Sequence, residues 1–260
     1  MTAILFVGDV VATTGRRVLR ALLPALREEL ALDFVVVNGE NAAGGIGITP
    51  KTADEIFAAG ADVITLGNHA YRQRDVYRYL DEHPRIVRPA NYLPSQPGRG
   101  TCTVERGGVT LGVVNLSGNL FMRAARPAFA EVDAALATVR EADHVLVDMH
   151  AEATSEKVAM GWHLDGEVTA VVGTHTHVPT NDARVLPGGT AYISDVGMTG
   201  ARGGVIGVIK EQSIESLRTQ MPVRYEPAEA DPWLNAVLIR TKAPRTAASI
   251  EPILRPGPRN

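Results

Sequence analysis

Short, near-continuous apolar runs alternate with amphipathic stretches along the first two thirds of this 260-residue chain. Ala3-Ile4-Leu5-Phe6-Val7 is followed by Thr14 to Leu32, where Val18, Leu19, Leu22, Leu23, Leu26 and Leu30 recur at helical spacing. Phe34 to Val37 reads as a second strand, and Asp62 to Leu66 as a third. Between them Thr49 and Pro50 have the order of an N-cap and first-turn pair, opening a helix to about Ala59. A strand without polar alternation is one buried on both faces, so this pattern predicts an α/β fold with parallel pairs covered on either side by helices.

The middle of the chain changes character. Thr101 to Glu105 and Val109 to Asn115 flank Gly107-Gly108, a hairpin signal, after a Pro- and Gly-rich stretch from Arg88 to Gly100. Strands are expected at Val145 to Met149, Val168 to Val172 and Ala191 to Ser194, with a helix from about Phe129 to Glu141. Two more are expected around Ala236 to Arg240 and Ser249 to Leu254. No internal repeat is present, and the length suits one large core: a single domain over 1–254 with a tail at 255–260.

Composition narrows the function classes. Cys102 is the one cysteine, which excludes an internal disulfide framework and fits a reducing cytoplasm. No run approaches the roughly 20 apolar residues of a membrane helix, and Ala3–Val7 lacks the basic flank of a signal peptide. The net charge of -3 gives no overall pull toward nucleic acid. Arg72, Arg74 and Arg78 with Tyr71, Tyr77 and Tyr79 resemble a basic-aromatic face, but Asp75, Asp81 and Glu82 dilute it, and a solvated helix face is the better reading.

The chemistry stands at the strand ends. Strand one runs into Gly8-Asp9, strand two into Asn38-Gly39-Glu40-Asn41, and strand three into Gly67-Asn68-His69; later strands lead to Asp148-Met149-His150 and Gly173-Thr174-His175-Thr176-His177. Ligands bind at the carboxyl ends of strands in α/β sheets. Asp, Glu and Asn oxygens with imidazole nitrogens suit a transition metal, and without a second cysteine a thiolate site is excluded. One ion with an open position uses three to five such groups; seven or eight suit two ions sharing a carboxylate, the pair about 3.5–4 Å apart that clamps a transferring phosphoryl group. Taken singly, Asp9 reads equally as an N-cap, Asn68 as a turn residue and His150 as a core histidine. Coincidence at five strand ends is harder to sustain. In His175-Thr176-His177, alternate residues of an extended segment would face one side. Ala43-Gly44-Gly45-Ile46-Gly47 resembles a phosphate-cradling loop but lacks the spacing of a P-loop. His83 and His144 read as structural.

In this order, Gly8-Asp9, Gly39-Glu40-Asn41, Gly67-Asn68-His69 and Gly173-Thr174-His175-Thr176-His177 resemble the motif blocks of calcineurin-like metallophosphoesterases. The departures are Asp9-Val10-Val11 for the usual Asp-x-His, Gly39-Glu40 for Gly-Asp, and Ala70 for the acid after Asn-His. These departures, with Leu164-Asp165-Gly166 and Asp195 to Gly200, resemble the YmdB-like branch, bacterial phosphodiesterases of cyclic nucleotides. Ala201-Arg202-Gly203-Gly204 stands where that pattern has Pro-x-Asp-Ser.

The resemblance implies a four-layer αββα sandwich of mixed sheets with helices on both outer faces. It implies Asp9, Glu40, Asn41 and His177 on one metal, and Asn68, His150 and His175 with bridging Glu40 on a second. His69 would be the catalytic general acid. The expected reaction is hydrolysis of a phosphodiester, 2′,3′-cyclic or 3′,5′-cyclic nucleotides, by a metal-bridging hydroxide. Iron is the first expectation for the two divalent or trivalent ions and manganese the second. Self-association into a homo-oligomer is implied as well. Two other readings stand beside it: a phosphomonoesterase, and a regulatory or RNA-associated protein with a structural metal site.

Overall fold

The computed structural model describes residues 1–258. The first half of the chain holds β1 (Ala3–Val7), α1 (Ala12–Glu29), β2 (Phe34–Asn38), α2 (Pro50–Ala58), β3 (Val63–Thr65), α3 (Val76–Glu82) and β4 (Ile86–Val87). A hairpin follows, β5 (Thr101–Arg106) and β6 (Val109–Ser117), then α4 (Ala128–Ala137), β7 (His144–His150), α5 (Thr154–His163) and β8 (Ala170–Thr174). The chain closes with β9 (Arg184–Val185), β10 (Ala191–Ile193), β11 (Gly200–Ala201), α6 (Lys210–Thr219), β12 (Pro232–Ala243) and β13 (Thr246–Pro256).

Two mixed sheets result. One runs β11-β12-β1-β2-β3-β4 with β13 against β12, the other β5-β6-β7-β8-β10-β9. β1 to β4 are mutually parallel, as are β6, β7, β8 and β10; the antiparallel strands lie outside these blocks. Side chains alternate between the two faces of each strand, and both faces are covered. From β1, Ile4 and Phe6 pack inward against Val113, Leu146 and Val172 of the second sheet. Leu5 and Val7 point outward onto Leu19 and Leu23 of α1 and Ile56 of α2. On the far side Val147 and Met149 meet Val132 of α4 and Met160 of α5. This is the αββα sandwich. Each fully buried Val, Leu, Ile or Phe contributes about 1.5–3 kcal/mol, which is why the strands read as unbroken apolar runs.

Local sequence explains the individual elements. Gly107 (φ 60°) and Gly108 (φ 78°) both take the left-handed backbone that a two-residue hairpin turn requires. At α2, Thr49 Oγ1 accepts from the Thr52 N–H at 3.2 Å, and Thr52 Oγ1 accepts from the Thr49 N–H at 2.9 Å, with Pro50 in the first turn. Thr49→Ala is expected to destabilise the protein by about 1 kcal/mol, read as a lower urea midpoint; no change would mean that α2 is held by Ile56 packing alone.

The structure extends several expected elements and adds others. α1 begins at Ala12 and ends at Glu29, earlier at both ends than expected. β13 continues to Pro256, and the Gly257 N–H donates to Pro232 O at 2.7 Å, so residues 255–257 of the expected tail are part of the sheet edge; residues 259–260 lie outside the described residues. β4, β9, β11, α5 and α6 add elements the sequence reading did not assign. Tyr71 and Tyr77 meet edge to face with centroids 5.6 Å apart and pack on the outer core, while Arg78 pairs with Glu82; only Tyr77, Arg78 and Tyr79 of the basic-aromatic stretch lie on α3, and Tyr71, Arg72 and Arg74 belong to the turn that leads into it. His83 stacks on Tyr79 at 3.8 Å, and buried His144 meets Thr2 Oγ1 at 3.1 Å; both are structural. Among the described residues no helix is long and apolar enough to cross a membrane.

Candidate metal centre

Parallel strands within each sheet send their carboxyl ends to one edge, and there the two sheets deliver all eight of the expected side chains to one place. Asp9 follows β1, Glu40 and Asn41 follow β2, Asn68 and His69 follow β3, His150 ends β7, and His175 and His177 follow β8. Asp9, Glu40, Asn41 and His150 are buried.

One side of the cluster converges on His150. Its Nε2 lies 2.9 Å from Asn68 Oδ1, 3.1 Å from His175 Nδ1 and 3.3 Å from Glu40 Oε1. Ligand atoms of Glu40, His150 and His175 all fall within 4.8 Å of one another, the spacing of groups around one ion. On the other side His177 Nε2 stands 3.8 Å from Asp9 Oδ1 and 3.2 Å from Asn41 Nδ2. Asn41 Nδ2 also donates to Glu40 Oε1 at 3.1 Å, while its Oδ1 faces His69 Nδ1 at 2.8 Å. As a ligand Asn41 would present that oxygen after a half-turn of the amide. Glu40 thus lies between the two sides. Gly67 is required here: a Cβ at that position would run into His150 and Glu40.

The donor set fits metal ions. Asp9 is fully buried, and among the described residues its Oδ1 has no hydrogen-bond partner. A buried carboxylate oxygen left unpaired is costly, and a cation removes the cost. Burial raises the Asp9 carboxyl above its ordinary range, against the pull of His177 and His150. Burial also acts to raise Glu40, but the charge and hydrogen bonds of His150 and His69 hold it well below the usual carboxylate range. Burial opposes charge on His150, yet Glu40, Asp9 and Asp148 push it up to about 9. A cation bound at this ring would compete with its proton. Burial, then the neighbouring His150 charge, drives His175 down to about 3.

In His150, His175 and His177 the nitrogen that faces away from the cluster is also held. His150 Nδ1 meets Thr174 Oγ1 at 2.9 Å, and that hydroxyl donates to Asp148 Oδ1 at 2.6 Å. Asp148 ties the sheets together, since Thr65 and Asn38 of the first sheet donate to its Oδ2. Burial lifts its carboxyl to about 6 despite these bonds. His175 Nε2 meets Glu152 Oε2 at 2.9 Å, and His177 Nδ1 meets Ile206 O at 2.9 Å. Such outer partners fix ring orientation in metal sites.

The loop from His175 to His177 differs from the expected extended segment. His175 has φ 102° and His177 φ 66°, both left-handed, so their rings converge through backbone twist and not through strand alternation. Residues of this kind cost about 1–3 kcal/mol each and need a surround that enforces them. Asp195 supplies it, accepting from Thr176 N at 3.1 Å and Thr176 Oγ1 at 2.7 Å. Lys157 Nζ in turn pairs with Asp195 Oδ2 at 2.7 Å in a buried ion pair. Sequence reasoning missed Lys157 and Glu152. A signal for Lys157 existed: it shares a helical stripe with Met160, Gly161 and Leu164, all buried.

A family model described as YmdB-like protein matches residues 5–253. The chain belongs to the YmdB-like family. A curated relative in Bacillus subtilis (strain 168), named 2′,3′-cyclic-nucleotide 2′-phosphodiesterase, is 44% identical over 237 residues, covering 91% of this chain and 90% of that protein. Two crystal structures are similar along almost their whole length. A hypothetical protein from Thermus thermophilus has 40% identity and a TM-score of 0.93, covering 99% of this chain and 100% of that one. A novel phosphatase of Mycoplasma pneumoniae has 33% identity and a TM-score of 0.91, covering 98% and 94%. The YmdB-like chain therefore has the metallophosphoesterase fold that its strand-end residues implied.

Proposed function

We propose that this YmdB-like chain is a dimetal-dependent phosphodiesterase that opens 2′,3′-cyclic nucleotides, a single metallophosphoesterase domain whose metal-holding residues come from the strand ends of both sheets. The observation that carries the reading is the convergence of seven side chains around Glu40, with Asp9 Oδ1 lacking a hydrogen-bond partner among the described residues. The chain is a phosphoester hydrolase by its family, and the name of its relative in B. subtilis supports a phosphodiester substrate.

In this reading Asp9, Glu40, Asn41 and His177 hold one ion, and Asn68, His150 and His175 hold the second with Glu40. Two such cations supply Lewis acidity and bring the pKa of water toward neutrality. His69 protonates the departing alkoxide. Its backbone N–H donates to Glu40 Oε2 at 3.0 Å and its Nδ1 lies against the Asn41 amide, an arrangement that leaves Nε2 available to a leaving group whichever way that amide is turned. The oxygen-rich first set favours iron or manganese.

The test is a rate panel of 2′,3′-cyclic AMP, 3′,5′-cyclic AMP, bis(4-nitrophenyl) phosphate and 4-nitrophenyl phosphate, with elemental analysis of protein purified without added metal. Diesters are expected to exceed the monoester, 2′,3′-cyclic AMP to lead, and iron or manganese to copurify. Stripping the metal with a chelator is expected to abolish every rate. A faster monoester would make the protein a phosphomonoesterase, and zinc as the sole metal would overturn the iron or manganese assignment.

A further inference from the structure

Beside the metal centre, on the far side of His177, lies a cavity of about 350 Å³. Its walls are Val178, Met198, Ile206 and Leu254, and Asn235 and Arg202 also line it. Val178 is 58% exposed and Ile206 53%, so the apolar wall opens to solvent. We infer that this cleft is the subsite for the nucleobase of the substrate, an inference that rests on the phosphodiesterase reading above.

Four observations carry it. First, position: His177 joins the two regions, its Nε2 on the side of Asp9 and Asn41 and its Nδ1 bonded to Ile206 O. The cleft therefore adjoins the Asp9 and Asn41 side of the centre across a single ring, and its wall there is apolar. Second, size and character: the volume lies in the range of small-ligand pockets, and an apolar wall suits the faces of a planar ring. Third, the Arg202 guanidinium stacks over the Trp233 ring at 4.4 Å and, among the described residues, forms no ion pair with a carboxylate, presenting a flat cationic surface of the kind on which bases stack. Fourth, Asn235 is 3% exposed; its Nδ2 donates to Met198 O at 2.8 Å, but its Oδ1 has no partner among the described residues. Every common base carries an N–H donor on its pairing edge; Oδ1 is itself shielded from solvent, so such a donor meets it once the Asn235 side chain turns toward the cleft that it lines.

This gives a task to the segment from Ala201 to Gly204, where the sequence departs from the pattern it otherwise resembles, and to Ile206 just beyond it. Arg202 forms the rim, and Ile206 does two things at once: its side chain walls the cleft while its carbonyl fixes His177.

The experiment compares kcat/KM for 2′,3′-cyclic AMP with that for glycerol 1,2-cyclic phosphate, which has the same cyclic diester and no base. Wild type, Leu254→Asp and Arg202→Ala are measured. Leu254 is 40% exposed and Arg202 is exposed, so both variants should fold, checked by Tm. The ratio of the two constants is expected to fall about tenfold in Leu254→Asp, mostly through KM for the nucleotide, and several-fold in Arg202→Ala. Calorimetry gives a second readout: wild type should bind adenosine 3′-phosphate more tightly than inorganic phosphate, and Leu254→Asp should lose that difference. If wild type cleaves both diesters and neither variant changes the ratio, the cleft is not the base subsite while the phosphodiesterase reading stands. If wild type cleaves neither, both fall together.

Discussion

His69→Ala is expected to lose about 10²–10⁴ of its turnover on 2′,3′-cyclic AMP, whose leaving alkoxide needs a proton. Metal content and Tm should stay close to wild type. The imidazole side chain is 22% exposed, and its removal leaves Glu40 with the His150 and Asn41 contacts. On bis(4-nitrophenyl) phosphate the loss should be much smaller, because nitrophenolate departs without protonation. That contrast separates a proton donor from a residue that only shapes the pocket. Equal losses on both substrates would assign His69 to positioning, and an unchanged rate on the cyclic nucleotide would remove it from the chemistry.

Lys157→Ala should be the most destabilising substitution near the site. The Lys157 and Asp195 side chains are 2% and 1% exposed, and their ion pair is 2.7 Å long. Removing one partner leaves a buried carboxylate without its counter-charge, a loss of about 3–5 kcal/mol. Asp195 retains the Thr176 and Gly197 donors, which keep the chain together but do not neutralise it. The consequence reaches the metals, because Asp195 enforces the left-handed backbone of His175 and His177. Urea unfolding of the metal-free protein reads the stability loss, and titration with manganese reads the weakened centre. A change below about 1 kcal/mol would mean that the pair is neutral on balance, and that the loop is held by its hydrogen bonds alone.

Much of this site was legible before folding was considered, for a local reason. A parallel strand delivers its next residues to the sheet edge whatever the rest of the chain does, so Asp9, Glu40, Asn41, Asn68, His69 and His150 could be placed from apolar runs alone. The central strands were legible because each is buried on both faces. β4, β9 and β11 were not, since two-residue strands exist only through their neighbours. α6 was hidden because Ser213 is its sole buried residue, so it has no apolar stripe. α5 was hidden because its buried stripe includes a lysine and a glycine.

The sequence by itself determined the α/β class, the edge at which the chemistry gathers and the identity of the donors, because period and strand-end position are local properties. Only the tertiary structure decided how those donors are aimed. His175 and His177 face the centre through twisted backbone held by Asp195 and Lys157, two groups 38 residues apart. His150 is steadied through Thr174 by an aspartate that the opposite sheet also grips. Orientation depends on contacts between distant segments, and no spacing along the chain records them.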